Sequence, residues 1–239
     1  MIPKRIHYCW FGPNKPSALV NRCIASWKKY LPDYDVYLWN EESYDINKYT
    51  FTKQAYEQKK FAYVTDVVRL DVLKEFGGVY LDSDVEILKS LNDLLTLNAF
   101  SGFEDNEYVP TGLMASEKGG EWVSDLLKYY ENLPFVKADG TFSMVTNTQI
   151  ITEFMLEKSL KLNNSTQDFD GYVKLFSSEY FCPKSHKDGR MVITNKTYCI
   201  HHFAGSWLPQ KKRLRIKFVT FVRRILGNKL FDWLKRSLT

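Results

Sequence analysis

The sequence has few of the features that mark fibrous, disordered or membrane-spanning chains. It contains only 12 Gly and 8 Pro in 239 residues, which excludes collagen-like and low-complexity proteins. Hydrophobic residues make up 44% of the chain, more than a disordered protein carries. No apolar run approaches the ~20 residues that cross a bilayer. The length therefore predicts one globular domain with a sizeable core and room for a small appendage.

Cysteine is also scarce, and its positions follow no metal-binding or redox pattern. The four cysteines form no CxxC pair and have no zinc-finger spacing. The N-terminal residues show no apolar segment with a small-residue cleavage site, so we expect no secretory signal. Reduced thiols in a cytoplasmic protein are the resulting expectation. A GxGxxG loop, a Walker loop and a Ser-His-Asp signature are absent as well.

The positive charge is concentrated at the C-terminal end. The net charge is +5, from 33 Lys and Arg against 28 Asp and Glu. Residues 211–239 contain ten basic residues and one acidic residue, which gives +9 and leaves −4 for residues 1–210. We therefore predict a globular domain, large enough to be an enzyme, at 1–210 and a basic tail at 211–239. This segregation indicates one local anionic partner and does not favour nucleic acid.

The first hundred residues alternate between strand and helix patterns. Short apolar runs typical of buried strands lie at 6–11, 35–39 and 79–81, and helical spacing of apolar residues marks 19–30 and 61–76. This order favours an α/β fold with mostly parallel strands. In the less regular middle of the chain, we predict short strands at 99–104 and 109–114 and helices at 122–132 and 149–161.

Two aspartates directly follow the third predicted strand. Asp82 and Asp84 are two residues apart, so they share a face if the chain is extended. Two close carboxylates repel each other unless a cation lies between them, and oxygen ligands favour Mg²⁺ or Mn²⁺. Ligands of α/β sheets bind at the carboxyl ends of strands, where this pair lies. The pattern predicts a metal–diphosphate site; the alternative is an acidic turn.

Three further polar or aromatic candidates belong to the same half of the chain. Asp66 and Arg69 are three apart in the predicted 61–76 helix, so they occupy one face of it. Their apolar neighbours indicate that part of this helix is buried, where a charged pair is costly unless something further binds. Trp10 could stack on a nucleobase or could simply belong to the core.

A histidine pair lies near the end of the predicted body. His201 and His202 follow an apolar run, and neighbouring residues on a strand face opposite ways, so only one of them should serve a given site. A neutral imidazole is a good Mn²⁺ ligand. Gly205 and Ser206 follow closely, and they permit close backbone approach and phosphate binding.

Three stretches together resemble a known enzyme family. They are 2–12 (IPKRIHYCWFG), 62–69 (AYVTDVVR) and 77–84 (GGVYLDSD). Their order and spacing resemble glycosyltransferase family 32, which includes bacterial capsule transferases and is similar to the clostridial glucosylating toxins. The resemblance covers about residues 2–95 and, less fully, 199–207. It implies a GT-A, Rossmann-like α/β fold and a retaining glycosyltransferase.

The resemblance also implies roles in donor binding and catalysis. It places Trp10 on the nucleobase and Asn40 at the border of the nucleotide. Asp66 and Arg69 would contact the donor sugar and the ribose or phosphate. Gln149 would lie near the reacting face of the sugar.

A metal and a closing loop are implied in the same way. Asp82 would bind the ribose and support the metal, and Asp84 would be a direct ligand. His202 matches a His-x-x-Gly pattern that supplies a further ligand, although the choice between the two histidines stays open. Ser206 and Trp207 resemble a pair that closes over the diphosphate.

The implied reaction has a defined set of partners. The cofactor is Mn²⁺ or Mg²⁺, and the donor is a nucleotide sugar, with a UDP-sugar favoured over a GDP-sugar. The acceptor is a glycan or lipid-linked saccharide of cell-surface polysaccharide synthesis, for example a capsule.

The basic tail has the pattern of a membrane-surface helix. Between 214 and 226, one helical face is apolar and the basic residues lie off it; the apolar residues are Leu214, Phe218, Phe221, Val222 and Ile225. Such a helix lies in the plane of an anionic membrane. We therefore expect peripheral attachment to the inner face of the cell membrane. The alternative is packing on the body or on a partner subunit.

Two other functions fit part of the sequence. The run 81–85 (LDSDV) also resembles the first motif of aspartate-nucleophile phosphatases, which need a later lysine and a further acidic pair. A non-catalytic, membrane-associated nucleotide-sugar binding module is the second alternative. The combination of Asp82, Asp84, Asp66 and Arg69 with a histidine argues against a degenerate site.

Overall fold

The structure is a computed structural model that describes residues 1–109, 112–205 and 210–227. Its strands are β1 (Arg5–Cys9), β2 (Asp35–Trp39), β3 (Gly78–Leu81), β4 (Val85–Ile87), β5 (Ala99–Gly102), β6 (Leu113–Ser116), β7 (Gln167–Asp168), β8 (Lys174–Phe176) and β9 (Cys199–His201). Its helices are α1 (Ala18–Tyr30), α2 (Thr50–Glu57), α3 (Phe61–Phe76), α4 (Glu121–Glu131), α5 (Asn147–Glu157), α6 (Ser178–Phe181) and α7 (Gln210–Leu226). Among these residues, none of the helices combines the length and apolarity that a membrane crossing needs.

The main sheet contains seven strands in the order β2-β1-β3-β6-β5-β8-β7. The β1–β2, β1–β3 and β5–β8 pairs are parallel, whereas β3–β6, β5–β6 and β7–β8 are antiparallel. The predicted α/β fold is confirmed, and the three strands predicted in the first 81 residues are the parallel ones at one side. A separate antiparallel pair joins β4 to β9, which brings the end of the body back to the residues that follow β3.

Helix α3 is buried on most of its surface because it lies between the sheet and other helices. Its apolar residues occur on all sides, and Val64, Val68 and Leu73 have no exposed surface. The helix ends at Gly77, which has φ +63° and donates its N–H to the Leu73 carbonyl. A Cβ at Gly77 would lie 2.6 Å from the Lys118 nitrogen, so glycine permits both the turn and the close approach into β3.

The sequence predicted most of these elements to within a few residues. Helices α1, α3 and α4 and strand β2 lie where they were predicted. The predicted strand at 109–114 begins at Leu113, and the helix predicted at 149–161 is α5, which begins and ends earlier. Helix α2 and the short strands β4, β7 and β8 were not predicted, because each is too short or too polar to show a period.

A buried histidine of β1 makes hydrogen bonds to β2 and to the residue that precedes β3. The His7 Nε2 atom lies 2.9 Å from the Gly77 carbonyl oxygen, and the Trp39 indole N–H donates to His7 Nδ1 at 3.1 Å. The ring is therefore neutral, with its proton on Nε2. Burial lowers the pKa of His7 from 6.5 to about 4, against the opposing effect of the Gly77 hydrogen bond.

This histidine is expected to make stability depend on pH. Since the folded pKa lies below the unfolded one, the unfolded chain binds more protons between these values, and stability falls as pH drops from about 6.5 to about 4, by about 3 kcal/mol in total. The difference in the free energy of unfolding between the wild type and His7→Gln, measured in urea at several pH values, should show this slope. Asp66, whose raised pKa acts in the opposite direction, is present in both proteins and cancels in the difference. Equal slopes would contradict the assignment.

Candidate active site at the carboxyl ends of the parallel strands

Three of the predicted site positions lie at one edge of the main sheet. Strands β2, β1 and β3 are adjacent and parallel, with Cys9 paired to Trp39. Trp10, Asn40 and Asp82 each follow the last residue of one of these strands. The crevice at the carboxyl ends of parallel strands is the usual ligand site of such sheets.

The two aspartates meet a histidine at this edge. His201 Nε2 lies 3.4 Å from Asp84 Oδ1 and 3.8 Å from Asp82 Oδ2, and one ligand atom from each residue falls within 4.8 Å of the others. Strand β9 supplies the histidine because His201 pairs with Val85, directly after Asp84. The ring also contacts Gly112, where a Cβ would lie 2.8 Å from His201 Nδ1.

Backbone contacts fix Asp84 within this cluster. The residue is 8% exposed, and its Oδ2 accepts the Ala204 N–H at 2.6 Å. The Asp84 carbonyl oxygen accepts the His202 N–H at 3.1 Å. Burial alone would raise the pKa of Asp84, but the His201 ring and the Ala204 N–H lower it to about 2. Asp84 is therefore a carboxylate at neutral pH.

The cluster is suited to a divalent cation. Burial disfavours a charged His201, yet the neighbouring carboxylates of Asp84 and Asp82 raise its pKa well above the usual value. The two carboxylates thus stabilise a positive charge between them, which in the absence of a metal ion is the proton on His201. Two carboxylate oxygens and one imidazole nitrogen match the ligand preferences of Mn²⁺ and, less closely, of Mg²⁺.

The structure brings His201, rather than the predicted His202, to the aspartates. His202, not His201, was the predicted metal ligand, but its Nε2 lies 2.7 Å from Glu86 Oε2. Glu86 also pairs with Arg22 of α1 at 3.5 Å. Adjacent residues of a strand point to opposite faces, so when His201 faces the aspartates, His202 faces α1. A pattern match of spacing could not distinguish the two rings.

Arg69 links the predicted helix pair to the aspartates. Its Nη2 lies 3.2 Å from Asp66 Oδ1 and 3.2 Å from Asp82 Oδ1. Its guanidinium lies 4.7 Å from the centroid of the Tyr80 ring, and the Tyr80 hydroxyl donates to the same Asp82 oxygen at 3.1 Å. The predicted proximity of Asp66, Arg69 and Asp82 is therefore present, with Arg69 between the two carboxylates.

Asp66 is buried to about the same degree as Asp84. Burial raises its pKa to about 6, although the Arg69 charge works against this rise. Asn147, at the start of α5, donates from Nδ2 to the Asp66 carbonyl oxygen at 3.2 Å and is 2% exposed. Sequence reasoning gave Asn147 no role, although it stands two residues before the predicted Gln149.

Several predicted residues have other partners in the structure. Gln149 is exposed and donates to Glu153 Oε1 at 2.9 Å, so Asn147 rather than Gln149 approaches the site. Asn40 Oδ1 accepts hydrogen bonds within its own turn, from the Glu42 N–H and from Ser43. Neither contact supports the predicted role.

The remaining two parts of the predicted donor site stay predictions. Trp10 is half-buried at the strand edge, and its indole N–H donates to the Asn14 carbonyl oxygen at 2.6 Å. Its stacking on a base is untested by these contacts. The predicted closing pair, Ser206 and Trp207, lies outside the described residues.

Comparison with known families supports the resemblance in its coarser form. Residues 17–101 match the family described as "Glycosyltransferase sugar-binding region containing DXD motif". This segment runs from the residue before α1 to within β5, so it includes Asp66, Arg69 and the Asp82–Asp84 pair.

Two curated proteins are similar over part of the chain. Inositol phosphoceramide mannosyltransferase 3 of Schizosaccharomyces pombe is 29% identical over 140 residues, which cover 56% of this chain and 37% of that protein. Uncharacterized glycosyltransferase L373 of Acanthamoeba polyphaga mimivirus is 27% identical over 164 residues, which cover 67% of this chain and 63% of that protein. The chain thus spans between about a third and two thirds of these relatives.

A solved structure supports the fold. The PaToxG glycosyltransferase superposes with a TM-score of 0.50 at 19% identity, over 66% of this chain and 69% of that chain. The chain has the α/β fold of GT-A glycosyltransferases, as predicted. Together with the family match, this fold supports a glycosyltransferase enzyme, while a capsular or toxin-like assignment is not supported beyond the resemblance.

Proposed function

We propose that the protein is a metal-dependent glycosyltransferase that moves a sugar from a nucleotide-sugar donor to a saccharide acceptor. The observation that carries this proposal is the cluster of Asp82, Asp84 and His201, whose ligand atoms lie within 4.8 Å of one another at the carboxyl end of β3. Both aspartates belong to the segment that matches the DXD region. Such a cluster binds a cation that a nucleotide diphosphate can share.

The residues of the site divide the work of donor binding. Asp84 and His201 would hold the cation, with Asp82 supporting it beside Arg69. When bound, the cation neutralises charge on the departing diphosphate as a Lewis acid. Arg69 adds a fixed positive charge in a buried setting, where preorganised charges act most strongly. Asp66, which pairs with Arg69, would contact the donor sugar or ribose.

The finer features of the reaction follow the sequence resemblance. We propose retention at the anomeric carbon, Mn²⁺ in preference to Mg²⁺, and a UDP-sugar in preference to a GDP-sugar. Trp10 would stack on the base at the end of β1. The acceptor would be a glycan or lipid-linked saccharide of the cell surface, with the enzyme on the inner face of the membrane.

A donor screen tests this function. Purified protein is incubated with UDP- and GDP-sugars and Mn²⁺, and release of the nucleoside diphosphate is measured with and without added saccharides. We expect metal-dependent release from one donor, which a chelator abolishes and added Mn²⁺ restores. Absence of turnover with every donor, combined with donor binding, would instead favour the non-catalytic binding module.

The aspartate-nucleophile phosphatase is the less favoured function. A nucleophilic aspartate needs a free carboxylate oxygen that faces a phosphoryl group. One oxygen of each aspartate is held by the protein, Asp82 Oδ1 by Tyr80 and Arg69 and Asp84 Oδ2 by the Ala204 N–H, and the second oxygen of each faces the His201 ring. These contacts suit cation binding better than attack on phosphorus. Release of inorganic phosphate from simple phosphomonoesters would support the phosphatase.

The choice of histidine gives a separate prediction. His201→Ala should weaken Mn²⁺ binding about 100-fold, because it removes a direct ligand. His202→Ala should change it by less than about 3-fold, because its ring faces Glu86. Free Mn²⁺ is titrated by electron paramagnetic resonance, and circular dichroism checks that both variants are folded. A stronger effect in His202→Ala would restore the original choice.

A further inference from the structure

Helix α7 exposes a continuous apolar stripe. Four large apolar side chains recur at helical spacing on one face, with exposed fractions of 59% to 66%: Leu214, Phe218, Phe221 and Ile225. Side chains of this size are usually covered when they lie in one row. The stripe therefore indicates a surface that binds another molecule or a membrane.

The opposite side of the helix faces the body. Arg223 Nη1 lies 3.5 Å from the Lys187 carbonyl oxygen, and a Cβ built at Gly189 would lie 3.2 Å from Thr220 Cγ2. Arg223 lies about 170° and Thr220 about 130° around the helix from the centre of the stripe. The helix thus rests on the loop that contains residues 187–189 and turns its apolar face outward.

The same loop contacts the end of β9 and the residues that follow it. Lys184 Nζ donates to the His202 carbonyl oxygen at 2.7 Å, and the His186 ring lies 5.8 Å from the Phe203 ring. Phe203 in turn lies 4.1 Å from the His201 ring. The apolar stripe and the Asp–Asp–His cluster are therefore connected through one loop.

The charge of this region identifies the partner. The sequence of α7 contains seven Lys and Arg and no Asp or Glu, and the whole of 211–239 has a net charge of +9. A protein partner in general would not need such an excess, whereas an anionic bilayer attracts basic residues and accepts an apolar stripe at its surface. The exposed Arg224 lies beside the stripe.

We propose that α7 lies in the surface of an anionic lipid membrane, with Leu214, Phe218, Phe221 and Ile225 in the lipid. The 184–190 loop, which contacts both α7 and the residues that follow β9, then connects the cation cluster to the membrane-bound helix. Membrane binding of α7 does not depend on sugar transfer. The proposed membrane contact would therefore still hold if the donor screen found no turnover.

Vesicle flotation of the full chain tests this surface. Vesicles of phosphatidylcholine alone are compared with vesicles that also contain phosphatidylglycerol. We expect binding to the anionic vesicles that weakens with added salt. The double variant Phe218→Ser with Phe221→Ser should bind about 50-fold more weakly, and Arg224→Glu about 10-fold more weakly.

The controls separate membrane binding from folding and from self-association. Both phenylalanines are exposed, so their removal should leave the unfolding midpoint unchanged. Leu156→Ser with Leu162→Ser removes two exposed leucines elsewhere in the body and should leave flotation unchanged. Unaltered flotation of the phenylalanine variant would overturn the proposal. A dimer in sedimentation that this variant abolishes, without vesicle binding by the wild type, would overturn it in favour of a second copy of the chain.

Discussion

Replacing Asp84 by asparagine is expected to lower sugar transfer at least about 1,000-fold while leaving the protein folded. The oxygen of the introduced amide could still accept the Ala204 N–H, so the link between β4 and β9 is retained. The negative charge that faces His201 is lost, and with it the affinity for a divalent cation. Steady-state rates with the donor found in the screen, measured over a range of Mn²⁺ concentrations, give the size of the effect.

Asp71→Asn is the matched control for this variant. Asp71 is also buried, and it pairs with Lys48 and accepts the hydroxyls of Tyr44 and Tyr49, outside the candidate site. Its replacement should lower stability but not the turnover of the folded protein. Full activity in Asp84→Asn, or an equal loss in both variants, would show that the cluster is not the reaction centre.

Arg69→Met is expected to lower the free energy of unfolding by about 3 to 5 kcal/mol. Arg69 is 5% exposed and lies between two carboxylates, so its removal leaves Asp66 and Asp82 without their shared cation. Asp66 should then bind a proton more readily, since the charge that holds its pKa down is gone. Urea unfolding measures the loss directly.

Two further variants separate the charge of Arg69 from its shape. Arg69→Lys should recover only part of the stability, because an ammonium cannot bridge both carboxylates while stacking on Tyr80. Asp66→Asn combined with Arg69→Met should be less destabilising than the sum of the single changes, because one unpaired charge is removed with the other. Arg22 is an exposed arginine and serves as the control, because Arg22→Met should lower the free energy of unfolding by less than about 1 kcal/mol. If Arg69→Met costs no more than that, the bridging role is wrong.

The part of the site that sequence could predict is the part built from consecutive residues. Asp82 and Asp84 follow a strong strand pattern, and Asp66 and Arg69 lie on a helix with clear periodicity. The proximity of the two residues within each pair therefore follows from the spacing of a strand or a helix. Asn147 could not be placed in this way. Its contact with Asp66 spans 81 residues and depends on how α5 packs against α3.

The histidine pair shows a different reason why part of the site could not be predicted. Spacing in the sequence does not determine which of two neighbouring residues faces a site, because the register of β9 against β4 decides it. The pairing of His201 with Val85 turns one ring to the aspartates and the other to Glu86. Most elements of the first hundred residues were predicted because their apolar residues follow a clear period, whereas strands as short as β7 and β8 show none.

The link between Asp84 and Ala204 has a consequence for synthesis of the protein. These groups are 120 residues apart in the chain, and β9 must pair with β4 before His201 can face the aspartates. A ribosome-bound chain that has exposed the whole parallel half of the sheet therefore still has no cation site. The three side chains can meet only after β9 has emerged and paired with β4, so a nascent chain that ends before β9 would lack the Asp–Asp–His cluster.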